Sequence, residues 1–254
     1  MSNPDPVYIG IDPASSHKEF RYSVLDRDLN LLDIKEADTE NLVTYLTSLE
    51  SALVAINAPS GLNRGLVRAT MTAQHPLDGH KFRGVDIRLA EFELRQLGIS
   101  ISGTPAQPEL CTSWMRSGFA LIGTLKDKGY QAFPAVEAPL QWLETHPHAA
   151  FCALLERTPF AGPTLEGRLQ RQLVLHARGL RITDPIDFFE EITRFKLLNG
   201  ILPLEAIYSS EELDVLVAAY TAWAAFNQAE NVTRIGDAQE GLITLPVRAL
   251  KDRY

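Results

Sequence analysis

Hydrophobic and polar positions change period several times along the chain, and each change marks an element. Residues 7–12 form an apolar run, Val-Tyr-Ile-Gly-Ile, that ends on Asp12. A run of this kind reads as a buried strand delivering a carboxylate at its C-terminal end. Residues 19–26 alternate at period two, a turn covers residues 26–30, and residues 31–34 resume an extended pattern, so the opening predicts a three-stranded meander. Asp38-Thr39-Glu40 then opens a helix over Leu42, Tyr45, Leu46 and Leu49, spaced near 3.6 residues. Residues 52–57 are apolar throughout up to Asn57, and Ala58-Pro59-Ser60-Gly61 closes them. That reads as a buried parallel strand followed by a loop.

The middle of the chain is less regular. Residues 63–80 read as a long loop and residues 82–97 as a charged helix. Residues 103–108 read as a second loop and residues 114–128 as a helix with Phe119, Ile122 and Leu125 on its apolar stripe. We expect the stretch 63–128 to be an insertion within one domain spanning residues 1–254. A strand over 139–147 follows, on which Trp142, Glu144 and His146 share a face. Helices are expected over 148–156, 164–178 and 185–198. A long helix opens at Ser209-Ser210-Glu211-Glu212, and a short strand covers 241–246.

Three antiparallel strands, a crossover helix and a parallel fourth strand resemble the opening half of a ribonuclease H-like sheet. The resemblance implies a mixed five-stranded α/β sheet flanked by helices, with strands one and four side by side. It also implies catalytic acids at the C-terminal ends of those two strands, where this chain has Asp12 and Asn57.

Composition sets limits on partners. A length of 254 residues with 45 % hydrophobic and 22 % charged content is ordinary for a water-borne globular chain. The net charge of −8 repels nucleic acid at long range, so phosphate contact has to come from a local basic patch. Cys111 and Cys152 have no ligand-like spacing and read as buried thiols of a cytoplasmic protein. No apolar run is long enough for a membrane span, and the sequon at Asn231 carries no meaning in that compartment.

Six short motifs in order resemble domain-of-unknown-function family 429, a predicted nuclease family of ribonuclease H-like fold. They are Ile9-Gly10-Ile11-Asp12, the run from Val54 to Gly61, Arg83-Gly84-Val85-Asp86, Glu144-Thr145-His146-Pro147, Glu166-Gly167-Arg168 with Arg171, and the run from Glu211 to Ala219. The resemblance implies a metal-dependent nuclease or phosphodiesterase. Asp12, Glu144 and Asp214 are then the catalytic acids, and Asn57 and Glu211 join them as ligands of Mg²⁺ or Mn²⁺. Hard divalent cations favour such oxygen donors. Asn57 stands where the family pattern has Asp, which removes one charge from the expected metal site.

His146 is a candidate acid or base beside Glu144, or simply the residue that orders the strand end. Glu212 is assigned to the helix N-terminus. Arg83, Asp86, Arg168 and Arg171 are candidates for binding a nucleic acid or another phosphodiester. The plainer reading makes Arg88 and Arg95 surface pairs on a solvated helix, and Arg168, Arg171 and Arg178 a solubilising face. Arg64, Arg68 and Lys81 add a second basic cluster. Two rival functions stand beside the nuclease. One is a ribonuclease H-like binding protein that has lost catalysis, as Asn57 suggests. The other is a phosphotransferase related to sugar kinases and actin-like ATPases, to which Gly10-Ile11-Asp12 with Ser15-Ser16 also has a likeness.

Overall fold

The computed structural model describes residues 5–13, 19–74 and 84–254. The opening follows the polarity pattern. β1 (Val7–Pro13), β2 (Glu19–Leu25) and β3 (Leu31–Asp38) form the antiparallel meander. α1 (Thr39–Thr47) starts at Asp38, whose carboxylate accepts the Asn41 N–H at 2.8 Å. This is the usual answer to unpaired donors in a first helical turn. β4 (Ala52–Ile56) then lies parallel to β1. Every residue of β4 is buried, as its unbroken apolar run requires.

The next stretch departs from its predicted outline. α2 (Leu66–Gln74) occupies part of the predicted loop over 63–80. The predicted helix over 82–97 is reduced to α3 (Leu89–Gln96) among the described residues, with Arg88 at its N-cap. α4 (Ser113–Asp127) matches its apolar stripe. β5 (Gln131–Ala132) and β6 (Leu140–Thr145) follow, and β6 pairs parallel with β4. α5 (Pro147–Leu155) begins directly after β6, with Pro147 at its first position, where a missing N–H costs nothing.

α6 (Leu165–Ala177) precedes a second departure. The helix expected over 185–198 is two short ones, α7 (Asp187–Glu191) and α8 (Arg194–Leu198). Thr193 breaks the run because its hydroxyl accepts the Lys196 N–H at 3.1 Å and caps a new helix. α9 (Ser210–Asn227), β7 (Thr233–Asp237) and β8 (Gly241–Leu245) complete the chain.

Among the described residues the sheet has eight strands, not five. Its order is β3-β2-β1-β4-β6-β8-β7, with β5 also paired to β6. The additional pieces are weak in sequence. β5 is two residues long, and β7 (Thr-Arg-Ile-Gly-Asp) is an edge strand with polar and glycine positions. The architecture is mixed α/β, with helices on both faces. Tyr8, Leu53 and Leu143 point to the face covered by α3, α5, α6 and α9. Ile9, Ile11, Val54, Ile56 and Trp142 point to the face covered by α1 and α4. No helix among the described residues is long and apolar enough to cross a membrane.

α9 lies unusually close to β1. A Cβ on Gly10 would sit 2.0 Å from the Val215 carbonyl oxygen and 2.4 Å from the Ala219 nitrogen. Only a residue without a side chain admits a helix backbone that close. The small side chains Ala218, Ala219 and Ala222 complete the contact, all fully buried. Ser23 on β2 ties the helix down further, since its hydroxyl donates to the Val215 carbonyl at 2.8 Å.

Candidate active site: a carboxylate pair where sheet meets helix

Strand geometry dictates where Asp12 points. It lies two residues after Gly10, so its side chain leaves β1 on the face that α9 covers. Asn57, one residue past β4, shares that face with Leu53 and Ala55. Its N–H donates to the Ile11 carbonyl at 2.8 Å, which extends the β1–β4 pairing. Its side-chain amide Nδ2 donates to Asp12 Oδ1 at 2.7 Å. The expected adjacency of these two strand-end residues is therefore a direct hydrogen bond.

The start of α9 brings the third component. Ser209 and Glu212 form a reciprocal cap. The Ser209 hydroxyl accepts the Glu212 N–H at 3.2 Å, and the Glu212 carboxylate accepts the Ser209 N–H at 2.7 Å. Arg21, paired with Asp12 across β1 and β2, also donates to the Ser209 hydroxyl at 3.1 Å and forms an ion pair with Glu36. With α9 anchored this way, Asp214 lies in its second turn, one residue before the carbonyl that touches Gly10. Asp12 and Asp214 are both half-buried.

Their electrostatics follow from that placement. Burial pushes the Asp12 carboxyl up to about 6. The Asn57 hydrogen bond and Arg21 oppose the shift, and Glu211 adds to it. Burial pushes Asp214 up to about 7, with the charge of Asp12 the next cause and Glu211 a further one, against the pull of Arg171. The charge of one carboxyl raises the pKa of the other, so the two titrate as a coupled pair. Glu211 is exposed and acts on both carboxyls through space.

Glu144 does not join this pair. On β6 it has the parity of Trp142, so it leaves the sheet on the opposite face. There it is buried and fully engaged. Arg88 Nη2 donates to Oε1 at 2.6 Å and Nη1 to Oε2 at 3.0 Å, while the Ser60 N–H and hydroxyl reach Oε2 at 2.7 and 2.6 Å. Arg88 is itself buried, and its Nε donates to Glu91 at 2.8 Å. It is therefore not the surface ion-pair residue expected from the sequence. Burial works against its charge, but Glu144 and then Glu91 overcome that, so its pKa lies above the ordinary arginine value. Glu240, also fully buried, accepts the backbone N–H groups of Arg64 and Leu89 at 2.7 Å each. The result is a buried ionic cluster that ties α3 and the loop after β4 to the sheet.

The remaining candidates have structural contacts. His146 caps α5, with its Nδ1 accepting the Ala149 N–H at 3.2 Å. Burial, then His148 and Arg88, hold its imidazole down to about 4, so it is neutral at physiological pH. Asp86 pairs with Arg68 at an exposed position. Arg168 donates to the carbonyls of Tyr208 and Ile207 at 2.7 and 2.6 Å, securing the segment that leads into α9. Arg171 is buried, donates to the carbonyls of Phe160 and Gly167, and lies close enough to Asp214 to lower its pKa. These two arginines are not the solvated face the sequence suggested. Arg83 and Lys81 lie outside the described residues. Both cysteines are buried and unpaired.

Set against family models, residues 10–240 match a family described as a protein of unknown function, DUF429. The chain belongs to the DUF429 family. The matched stretch starts at Gly10 and takes in Asp12, Asn57, the Arg88 cluster, Asp214 and Glu240. A search of curated proteins and a search of solved structures each found no match. Among the described residues of this DUF429 chain, no group of three or more His, Cys, Asp or Glu side chains is arranged to hold a metal ion.

Proposed function

We propose that the chain is a divalent-cation-dependent nuclease or phosphodiesterase of ribonuclease H-like fold, with Asp12 and Asp214 as its working carboxylates. The fold reading is supported by the strand arrangement. An antiparallel meander is followed by a helix and a fourth strand inserted parallel to the first, with Asp12 at the end of that first strand. The function reading is carried by one observation. Asp12 at the end of β1 and Asp214 on the helix packed over it are both half-buried, burial raises the pKa of each, and the charge of Asp12 raises that of Asp214 further. Such a pair is relieved by a proton or by a cation, and perturbed groups of this kind concentrate at functional sites.

The donor set fits a hard cation held jointly with substrate. Mg²⁺ is commonly bound through one or two carboxylates together with substrate phosphates, not in an all-protein cage. Asp12 and Asp214 are the residues that would hold it, with Glu211 adding negative potential. When bound, such a cation neutralises charge building on the phosphoryl oxygens. The chain's own residues do the positioning. Asn57 fixes the Asp12 carboxylate by its amide, the Ser209–Glu212 cap and Arg21 fix the start of α9, and Arg171 offsets the charge of Asp214.

The test is hydrolysis of bis-p-nitrophenyl phosphate and of single- and double-stranded oligonucleotides, with Mg²⁺ or Mn²⁺. We expect cation-dependent cleavage of one of these, reduced at least about 100-fold by Asp12→Asn or Asp214→Asn. Cleavage that survives both substitutions, or no cleavage of any substrate with either cation, contradicts the reading.

One observation favours a second reading, a ribonuclease H-like domain weakened in catalysis. Asn57 gives Asp12 a neutral partner where a third charge is expected, and Glu144 is committed to Arg88. Under this reading the wild type binds cations feebly, and Asn57→Asp tightens Mn²⁺ binding measured by calorimetry. Unchanged binding in that variant counts against it.

A further inference from the structure

Among the described residues two arginines are buried, Arg88 and Arg171, and they are satisfied unequally. Arg88 is ion-paired to Glu91 and Glu144 and also bonds the Glu240 carbonyl. Arg171 is only 5 % exposed, yet it has no ion pair among the described residues. Its Nη1 donates to the Phe160 and Gly167 carbonyls at 2.8 and 3.0 Å, and Cζ lies 5.3 Å from the centre of the Phe151 ring. Nε and Nη2 have no hydrogen-bond partner among the described residues. Burial works against this charge more than Asp214, acting through space, supports it. A guanidinium buried with half its donors unused is a costly arrangement, and an anion relieves it.

The unused edge faces the start of α9. A Cβ on Gly162 would stand 3.7 Å from Arg171 Cζ and Nη2, and 3.1 Å from the Ser210 hydroxyl oxygen. The guanidinium and the hydroxyl therefore border the same spot, and the residue beside it has no side chain to fill it. The Ser210 hydroxyl itself has no partner among the described residues. Ser210 is the first residue of α9, and the Ser209 cap takes only the Glu212 N–H. The N–H groups of Ser210 and Glu211 are thus left without an acceptor inside the helix. Asp214 lies one turn beyond Ser210 on the same face of α9. Both are half-buried, so the spot is reachable from solvent and adjoins the carboxyl pair.

These groups have the chemistry of a phosphate receptor. One edge of a guanidinium offers two parallel N–H donors to phosphate oxygens, and helix N-terminal amides favour the same charge. We propose that Arg171, Ser210 and the first amides of α9 bind a phosphate group of the substrate in the space that Gly162 leaves open. The identity of the ligand rests on the phosphodiesterase reading, and the test is independent of cleavage. Asp12, Asp214 and Glu211 oppose an anion here, so Mg²⁺ is included.

Dimethyl phosphate, a minimal phosphodiester, is titrated into the isotope-labelled full chain to about 100 mM, well above millimolar affinity. NMR follows the Ser210 and Glu211 amides and Arg171 Nε–H. The expected result is a saturable shift at all three. Ser210→Ala and Gly162→Ala should each weaken binding at least about tenfold, the scale of one hydrogen bond to a charged group. Neither variant removes a packed side chain. Should Gly162→Ala disturb the fold, Ser210→Ala carries the test alone. The proposal is overturned by a wild type without saturable shifts, by equal shifts from sodium chloride at matched ionic strength, or by binding that the folded variants leave unchanged. Binding without cleavage would retain this site and remove the nuclease reading. Cleavage without binding would remove this site alone.

Discussion

At the scale of single residues, the chain keeps two kinds of buried acid, and they differ in what satisfies them. Glu144 is neutralised by Arg88 and bonded by Ser60, so it is a structural charge. Among the described residues Asp12 accepts an amide hydrogen bond from Asn57 and has the charge of Arg21 in its favour, yet burial and a neighbouring acid outweigh both, so it is the less relieved of the two. Substitution separates the two. Arg88→Leu leaves Glu91 and Glu144 buried without their cation, and removal of one member of a buried pair costs about 3–5 kcal/mol. Chemical denaturation should show a loss of that order, with a lowered midpoint and an unchanged slope. Asp214→Asn should do the reverse at pH 8. It removes a charge the fold disfavours, and we expect added stability of at most about 4 kcal/mol, since the carboxyl titrates about three units above its ordinary value and each unit corresponds to about 1.4 kcal/mol. A stability loss at pH 8 would mean that Asp214 is satisfied by a partner and that the pair is misread.

At the scale of elements, the site depends on how near α9 comes to β1, and Gly10 sets that distance. Gly10→Ala places a methyl group against the Val215 carbonyl, and no flexible side chain is there to yield. Overpacking against backbone should cost about 3 kcal/mol or more. It should also lower the pKa of Asp214, because pushing the helix outward admits water.

Much of this level was readable from the sequence. The apolar runs ending at Asp12 and Asn57, and the Ser-Ser-Glu-Glu helix start, gave the elements that build the site. The side on which Glu144 leaves the sheet was not readable. Its parity relative to Asp12 depends on the pairing of Ile56 with Glu144 across β4 and β6, which no local pattern contains. Arg88 and Glu240 were missed for a similar reason. A charged residue beside a helix start looks solvated until distant acids and backbone donors close over it. The break at Thr193 was legible only as a β-branched, hydroxyl-bearing residue within a helical period.

At the scale of the whole molecule, the displaced carboxyls make stability depend on pH with a definite sign. Between about pH 4 and 7 the folded state retains protons on Asp12 and Asp214 that the unfolded chain has lost. Stability from these groups therefore falls as pH rises through that window. His146 works in the opposite direction. Held down to about 4, it is neutral in the folded protein while the unfolded imidazole is protonated below about 6.5, so its contribution is lost as pH falls. The two effects partly cancel in the wild type. The difference between wild type and the Asp12→Asn, Asp214→Asn double variant isolates the pair. Across pH 4 to 7.5 the variant's advantage should grow by up to about 6 kcal/mol, the limit that two carboxyls titrating near 6 and 7 imply. A constant difference in thermal melts would show that the two acids titrate normally.

The pairing of Asp12 with Asp214 can be observed directly by carbon-detected NMR titration of the aspartate carboxyls in the wild type and in Asp214→Asn. The account predicts two aspartate signals in the wild type titrating near 6 and 7. In the variant the upper one disappears, and Asp12 remains above the ordinary aspartate value. Two carboxyls that both titrate near the unperturbed value of about 3.9 would contradict it.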